Sequence, residues 1–427
     1  MIKDQYLKQG LYNLSIASNA SEVLESWIMM GDSNNDKVAI ISLDNYHRSV
    51  YPAALNNLIK SNNSHFIPYF ESDKLYFIDN ELLAEIFSNQ EKDTEFGIDY
   101  SIMLDTNYAS YIDNFIRNDW SSINNEVFTS IDLLIRNNFR YDYIFYMIEN
   151  YKNSFVNIEA NNENAIRDKK TNLYLNLVSL ELFKSIDRDE YINTGALKYN
   201  ISMNEAQLLA DQIYNGIFYS SHATEMMDYF LSIQRYMVLL IIGMMQIKFE
   251  SKTTVQKRMQ KLFEFSTNVV GIYFDREMVI AHKYFIAQSN VRILNKINKG
   301  IKPDKLFQII ENIAWDFSVP RIMERQLVNG GAGRYFIPFF LSNDYNLREL
   351  LRLFKVKGIV YSKSKDFFVP FTKTFSQGYF ETHNCNVQSY FTDEALSRRA
   401  TTFKYSRKNQ SQLIKIEFDK LVKIMNE

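Results

Sequence analysis

Residues 302–354 read KPDKLFQIIENIAWDFSVPRIMERQLVNGGAGRYFIPFFLSNDYNLRELLRLF, and they set two carboxylates, Asp316 and Asp344, on elements able to aim them. Behind the turn Asn329-Gly330-Gly331-Ala332-Gly333, the run Tyr335–Leu341 is short, aromatic and aliphatic, the signature of a buried strand. Ser342-Asn343-Asp344 follows as a polar turn, and Leu347, Leu350, Leu351 and Phe354 then recur at helical spacing. Asp344 therefore sits at the carboxyl end of a strand, where open α/β sheets bind their ligands. Upstream, Leu306, Ile309, Ile310 and Ile313 mark an amphipathic helix. Ser318 and Pro320 suit the first turn of a new helix just after Asp316, a position that stabilises an ionised carboxylate.

Working outward, Ile98–Leu104 (IDYSIML) is another strand, ending in Asp105-Thr106-Asn107 before a helical segment, a layout that mirrors the one around Asp344. Residues 126–150 predict two helices interrupted near Asn137-Asn138, with Glu149 toward the end of the second. Nearer the start, 37–43 is a strand, 53–59 a helix, and 65–69 with 75–78 a hairpin around Glu71-Ser72-Asp73. Residues 165–299 are mainly long helices (173–184, 203–218, 223–247, 255–270 and 275–296) without a sequence repeat. After Tyr361 regularity fades through 363–390, and a helix near 412–425 ends the chain.

The 427 residues can bury a large core, and the composition of 46% apolar, 23% charged and 15% aromatic argues for a folded chain over a disordered one. A formal charge of -2 excludes a uniformly basic surface, so any nucleic-acid contact is local. Residues 355–427 are the basic part, with 13 Lys or Arg against 7 Asp or Glu. A single cysteine, Cys385, and a start without an apolar signal core fit a reducing cytoplasm. The most apolar run, 236–247, is too short for a bilayer span of roughly 20 residues and is expected as a buried helix, with no membrane contact. No CxxC or HxxxH spacing offers zinc a site.

Asp105, Glu149, Asp316 and Asp344 gain meaning together, because hard divalent ions such as Mg²⁺ or Mn²⁺ take oxygen ligands, a few of them carboxylates. Such ions assist phosphodiester hydrolysis by activating water and stabilising the leaving oxygen. LDTN at the end of the first core strand, an acid on a following helix (YMIENY), an Asp entering a later helix and a Ser-x-Asp before NLRELL resemble the PIN-like nuclease family. The resemblance covers 98–151 and 302–360. It implies that Asp105, Glu149, Asp316 and Asp344 organise the metal and carry catalysis. The fold it implies is α/β: a PIN-like core with a parallel sheet, interrupted by a large all-helical insertion and preceded by a small α/β lobe. The segments would be 1–95 (N-terminal lobe), 96–160 (first part of the core), 161–299 (helical insertion), 300–362 (second part) and 363–427 (basic C-terminal segment). The function implied is a divalent-metal-dependent nuclease acting on RNA or DNA, with a toxin or phage-defence role by analogy. A protein partner or a second copy would dock through the helical insertion.

Blander readings stand beside these. Strand-end aspartates commonly cap the next helix, and Glu149 can be an ordinary exposed helix charge. Arg276 and His282 have the Arg-x5-His spacing that resembles HEPN ribonucleases, which would act on RNA without metal. A non-catalytic scaffold with a degenerate PIN-like core is the third alternative. Arg398, Arg399, Arg407 and Lys408 form a basic cluster expected either to hold nucleic-acid phosphates or to be a solvated surface. Gly330-Gly331-Ala332-Gly333 enters a strand and lacks a following Lys-Ser or Lys-Thr, so it is a turn and not a phosphate loop.

Overall fold

The computed structural model describes residues 4–44, 46, 51–88, 95–152, 163–250, 252–364 and 367–427. Helices α1 (Gln5–Ile16) and α2 (Ala20–Met29) lead into β1 (Lys37–Ser42), α3 (Ala53–Lys60), β2 (Phe66–Pro68), β3 (Leu75–Asp79) and α4 (Asn80–Ser88). Then come β4 (Ile98–Leu104), α5 (Thr106–Ile116), α6 (Asn125–Arg136), β5 (Tyr141–Asp142) and α7 (Ile144–Tyr151). The middle is helical: α8 (Glu163–Lys184), α9 (Arg188–Thr194), α10 (Met203–Phe218), α11 (Ser221–Glu250), α12 (Val255–Phe265), α13 (Asp275–Ile286) and a 3-10 segment, Gln288–Lys296. The chain finishes with α14 (Pro303–Asn329), β6 (Tyr335–Leu341), α15 (Tyr345–Phe354), β7 (Gly358–Ser362), β8 (Phe368–Phe371), α16 (Ser376–Thr382), α17 (Asp393–Lys408) and α18 (Gln410–Asn426).

Among the described residues the strands form two sheets, β2-β6-β4-β5 and β3-β1-β7-β8. In the first, β4 runs parallel to both β6 and β5, and β2 lies antiparallel on the edge. All of β6 is buried, which explains its unbroken apolar sequence. Its register on β4, Ile98 against Tyr335 through Leu104 against Leu341, is pinned at the start by Asp99, whose Oδ2 accepts from the Ala332 amide at 3.0 Å. Gly331 makes that turn with φ +81, and a Cβ there would stand 2.9 Å from Asp99 Oδ2.

The second sheet alternates with period two. Val38, Ile40, Phe77, Ile359 and Tyr361 face the main core, while Ala39, Ile41, Ile78, Val360 and Phe371 pack on Leu7, Leu11, Leu14, Val23 and Trp27 of α1 and α2. Residues 1–95 thus share both sheets with residues 335–371: β2 pairs with β6, and β1 with β7. The hairpin expected at 65–69 and 75–78 does not form, because β2 and β3 pair into different sheets. The expected segment boundary after 160 lies outside the described residues. The stretch 363–390 also holds more order than expected, with β8 pairing on β7 and α16 following.

A second apolar core contains no strand residue. It gathers the later part of α11 (Tyr236 to Ile247) with residues of α12, α13, the first half of α14, α16 and α18. By length and composition α11 passes as a bilayer span, yet 78% of its most apolar window is buried inside the fold, against α14 and α18 among others. Helix α14 is the beam shared by both cores: Leu306, Ile310, Ile313 and Phe317 enter the helical core, and Trp315, Val319, Ile322 and Leu327 enter the sheet core. Asp316 sits where the two meet.

Candidate active site

The equal register of β4 and β6 places Asp105 and Ser342 side by side, one residue past the carboxyl ends of adjacent parallel strands. The Asp105 amide donates to the Leu341 carbonyl at 3.0 Å, and Ser342 Oγ donates to Asp105 Oδ2 at 2.7 Å. Asp105 occupies the N-cap position of α5 without a side-chain capping bond, so its oxygens are not spent on the helix as a simple cap would spend them. Asp344 does cap its helix. Its Oδ1 accepts from the Asn346 and Leu347 amides at 2.7 and 3.1 Å, and Oδ2 takes no hydrogen bond among the described residues. Capping and a ligand role are compatible, since they use different oxygens.

Glu149 rides on α7, which follows β5, the other parallel neighbour of β4. Thr106, the residue after Asp105, donates its hydroxyl to Glu149 Oε2 and so ties the helix to the strand end.

Asp316 is placed differently from the expectation. Ser318 and Pro320 do not open a new helix; α14 runs without interruption from Pro303 to Asn329, with Asp316 and Pro320 in its interior. Ser318 hydrogen-bonds back to the Ala314 carbonyl at 2.8 Å rather than capping. Pro320 has no N–H to offer the Asp316 carbonyl four residues earlier, so the helix loses a bond at this point. The buried flanks of 315, 317, 319 and 322 hold the segment helical regardless. Asp316 consequently lacks the favourable field of a helix start.

The carboxylates feel one another. Burial pushes the Asp105 carboxyl up to about 7; the negative charges of Glu149 and Asp344 add to this, against the Ser342 and Thr106 hydrogen bonds that lower it. Asp316 is raised well above the usual carboxylate range, first by burial and then by the charges of Asp105 and Asp344, with Glu149 contributing and Lys296 opposing. Glu149 and Asp344 therefore lie within electrostatic reach of both Asp105 and Asp316, and Asp105 within reach of Asp316. The donor set is all oxygen and suits a hard divalent cation. Among the described residues, no three His, Cys, Asp or Glu side chains stand close enough together to hold an ion as they are.

Further residues that the sequence pattern did not single out support this edge. Arg348, buried under the Ser342 turn, donates to the Ser342 carbonyl at 3.1 Å. Asn343 Nδ2 reaches Tyr111 Oη at 3.4 Å. The Ser342 amide donates to the carbonyl of His65 on the β2 side, and the His65 ring meets Tyr108 Oη at 2.6 Å. The Asn343, Ser342 amide and His65 contacts do not follow from local periodicity, because each joins segments far apart in the chain.

The competing constellation separates. Arg276 is buried in an ion pair with Glu324 of α14 and donates to the Phe354 carbonyl, whereas His282 bonds Tyr379 Oη of α16 at 3.0 Å. Burial and the neighbouring His383 hold the His282 imidazole down at about 4. In the basic cluster, Arg399 is buried over the rings of Tyr273 and Phe391, and the exposed Arg398 pairs with Glu394 at 3.2 Å, which leaves Arg407 and Lys408 as its exposed members without an ion pair among the described residues. Comparison of the chain with protein-family models, with curated proteins and with solved structures found no match.

Proposed function

We propose that this chain is a divalent-metal-dependent phosphodiester hydrolase, a PIN-like nuclease acting on RNA or DNA in the cytoplasm. The observation that supports the reading most is that Asp105, at the carboxyl edge of a parallel sheet, and Asp316, on α14, are both raised by burial and by the charges of Glu149 and Asp344. Four carboxylates in partial burial repel, and a cation relieves that repulsion. A Mg²⁺ or Mn²⁺ ion held by these residues would polarise the phosphate, offset the charge developing on it and favour ionised water as nucleophile.

The chain's own groups have separable tasks. Ser342 orients Asp105, Thr106 orients Glu149, and the Asn346 and Leu347 amides fix Asp344 so that its second oxygen points away from the helix it caps. Asp105, poised near neutrality, can hold or release a proton at its carboxyl as the cation enters. Because the acids do not yet enclose an ion, loading requires side-chain closure around it.

The test is cleavage of a panel of labelled single- and double-stranded oligonucleotides in Mg²⁺ or Mn²⁺. Wild type should cut at least one of them, EDTA should stop it, and Asp344→Asn should lower the rate by several orders of magnitude. Wild-type rates from purified Asp344→Asn would remove the assignment.

A further inference from the structure

Outside the four acids, a run of exposed cations without ion-pair partners among the described residues begins at the 3-10 segment, whose Lys296 acts electrostatically on Asp316. Between Gln288 and Lys305 the chain carries Arg292, Lys296, Lys299, Lys302 and Lys305, all solvent-facing, against the single acid Asp304. Among the described residues none of the five forms a salt bridge, and Lys305 alone makes a side-chain hydrogen bond, to Gln308 at 3.2 Å. The 3-10 segment that begins the run packs on α15, the helix capped by Asp344. At that junction the Arg292 guanidinium lies 6.0 Å from the ring centre of Tyr345. Tyr345 directly follows Asp344, and 49% of it is exposed.

Local stability does not account for these cations. Lys302 and Lys305 stand at the N-terminal end of α14, where the helix dipole disfavours positive charge. Five unpaired positive charges on one short stretch repel one another as well. Their position makes sense against a polyanion that must approach four carboxylates, because the phosphates need compensating charge next to the acids. An exposed aromatic ring backed by a guanidinium adds a face on which a base can stack, and only an unpaired base presents its face freely.

We infer that Arg292, Lys296, Lys299 and Lys302, with Tyr345, form a single-strand nucleic-acid clamp that feeds the acid cluster. The clamp rests on the reading of the acids as a phosphodiester site, but it binds through different residues and needs no metal. Phosphates run along the basic stretch while one base stacks on Tyr345, which sets the adjoining phosphate next to Asp344.

The experiment is fluorescence-anisotropy binding of a labelled single strand and a matching duplex in EDTA, at several salt concentrations, with the full chain. Replacing Arg292, Lys296, Lys299 and Lys302 together by Ala should weaken single-strand binding roughly a hundredfold at low salt and flatten the log-log salt slope by about 0.7 for each phosphate no longer neutralised. Tyr345→Ala should cost the single strand about tenfold, leave its salt slope unchanged and leave the duplex unaffected. All five positions are exposed or partly so, and unchanged melting temperatures verify folding. Wild-type affinity and slope in the fourfold variant would overturn the clamp, as would a loss that appears only on replacing Arg407 and Lys408. If wild type and Tyr345→Ala prefer strands equally, stacking is refuted. Binding that behaves as stated while no substrate is cleaved in Mg²⁺ or Mn²⁺ would sink the hydrolase reading and leave the clamp standing.

Discussion

Two clusters of charged side chains lie against the same helix, α14, and they are built on opposite principles. One holds Arg276, Glu277, Arg321 and Glu324: two bases and two acids, all buried or nearly so. Arg321 grips Glu277 through Nη2 at 2.8 Å and Glu324 through Nη1 at 3.1 Å, Arg276 pairs with Glu324, and Tyr69 donates to Glu324 at 2.9 Å. Burial alone would raise the Glu324 carboxyl, yet Arg276 and Arg321 outweigh it and hold it below its usual value. The other cluster holds Asp105, Glu149, Asp316 and Asp344, with Asp316 raised because burial and like charge act together. The paired cluster joins α13 to α14 and to the end of β2, and is complete in itself. On the proposed reading a cation completes the unpaired one, and that difference would separate architecture from function among buried charges.

The difference gives its largest effect in stability. Glu324→Ala leaves Arg276 and Arg321 with one acid between them, and chemical denaturation should show a loss of about 3–5 kcal/mol. Asp316→Asn replaces a carboxyl that burial and like charge already drive toward its neutral form, and should leave the melting temperature in EDTA unchanged or raised, while abolishing cleavage. A destabilised Asp316→Asn would mean that the acid cluster, too, is held by internal pairs.

Next in size is the pH dependence of the metal-free protein. The Asp105 carboxyl is near 7 in the folded chain and has an ordinary value of 3.8. Between these pH values the folded state binds more protons than the unfolded, so its stability falls as pH rises from about 4 to 7, by an amount on the order of a few kcal/mol. Asp105→Asn should flatten that limb in denaturation curves taken in EDTA. Addition of Mn²⁺ at pH 8 should raise the wild-type melting temperature, and by more than at pH 5, where the acids hold protons instead.

The smallest expected effect sharpens the comparison from outside it. His282→Ala should change the cleavage rate by less than about twofold, because His282 bonds Tyr379 and not the acid cluster, and Arg276 belongs to the paired cluster. A His282→Ala protein without activity, in a fold that still melts normally, would reopen metal-free chemistry at that histidine.

Much of the acid site was legible in sequence, for physical reasons. Strand ends are marked by the switch from period-two or unbroken apolar runs to polar turns, so Asp105 and Asp344 could be placed at the carboxyl edge from local pattern alone. Asp316 shows the limit: Ser318 and Pro320 carry helix-start chemistry, but the buried flanks on both sides of them override it and keep α14 continuous. The pairing of β2 with β6 and β1 with β7 was not legible, because strands joined across hundreds of residues leave no local trace. Local pattern does not single out Lys296, Arg348 or Tyr345, and their surroundings are set where α14, α15 and the 3-10 segment meet. In the basic cluster near the C-terminus, neighbours in sequence have different surroundings: Arg398 pairs with Glu394, and Arg399 is buried among aromatic rings.

Metal binding tests the central claim most directly, because it asks whether the four acids act as one ligand set without requiring a substrate. Mn²⁺ should be titrated into wild type, Asp105→Asn, Asp316→Asn and Glu277→Gln, with free ion followed by electron paramagnetic resonance. The expected result is saturable binding by wild type and by Glu277→Gln, whose acid belongs to the paired cluster, and at least about tenfold weaker binding by each Asp→Asn variant. Equal Mn²⁺ affinity in wild type and both Asp→Asn variants would contradict the account.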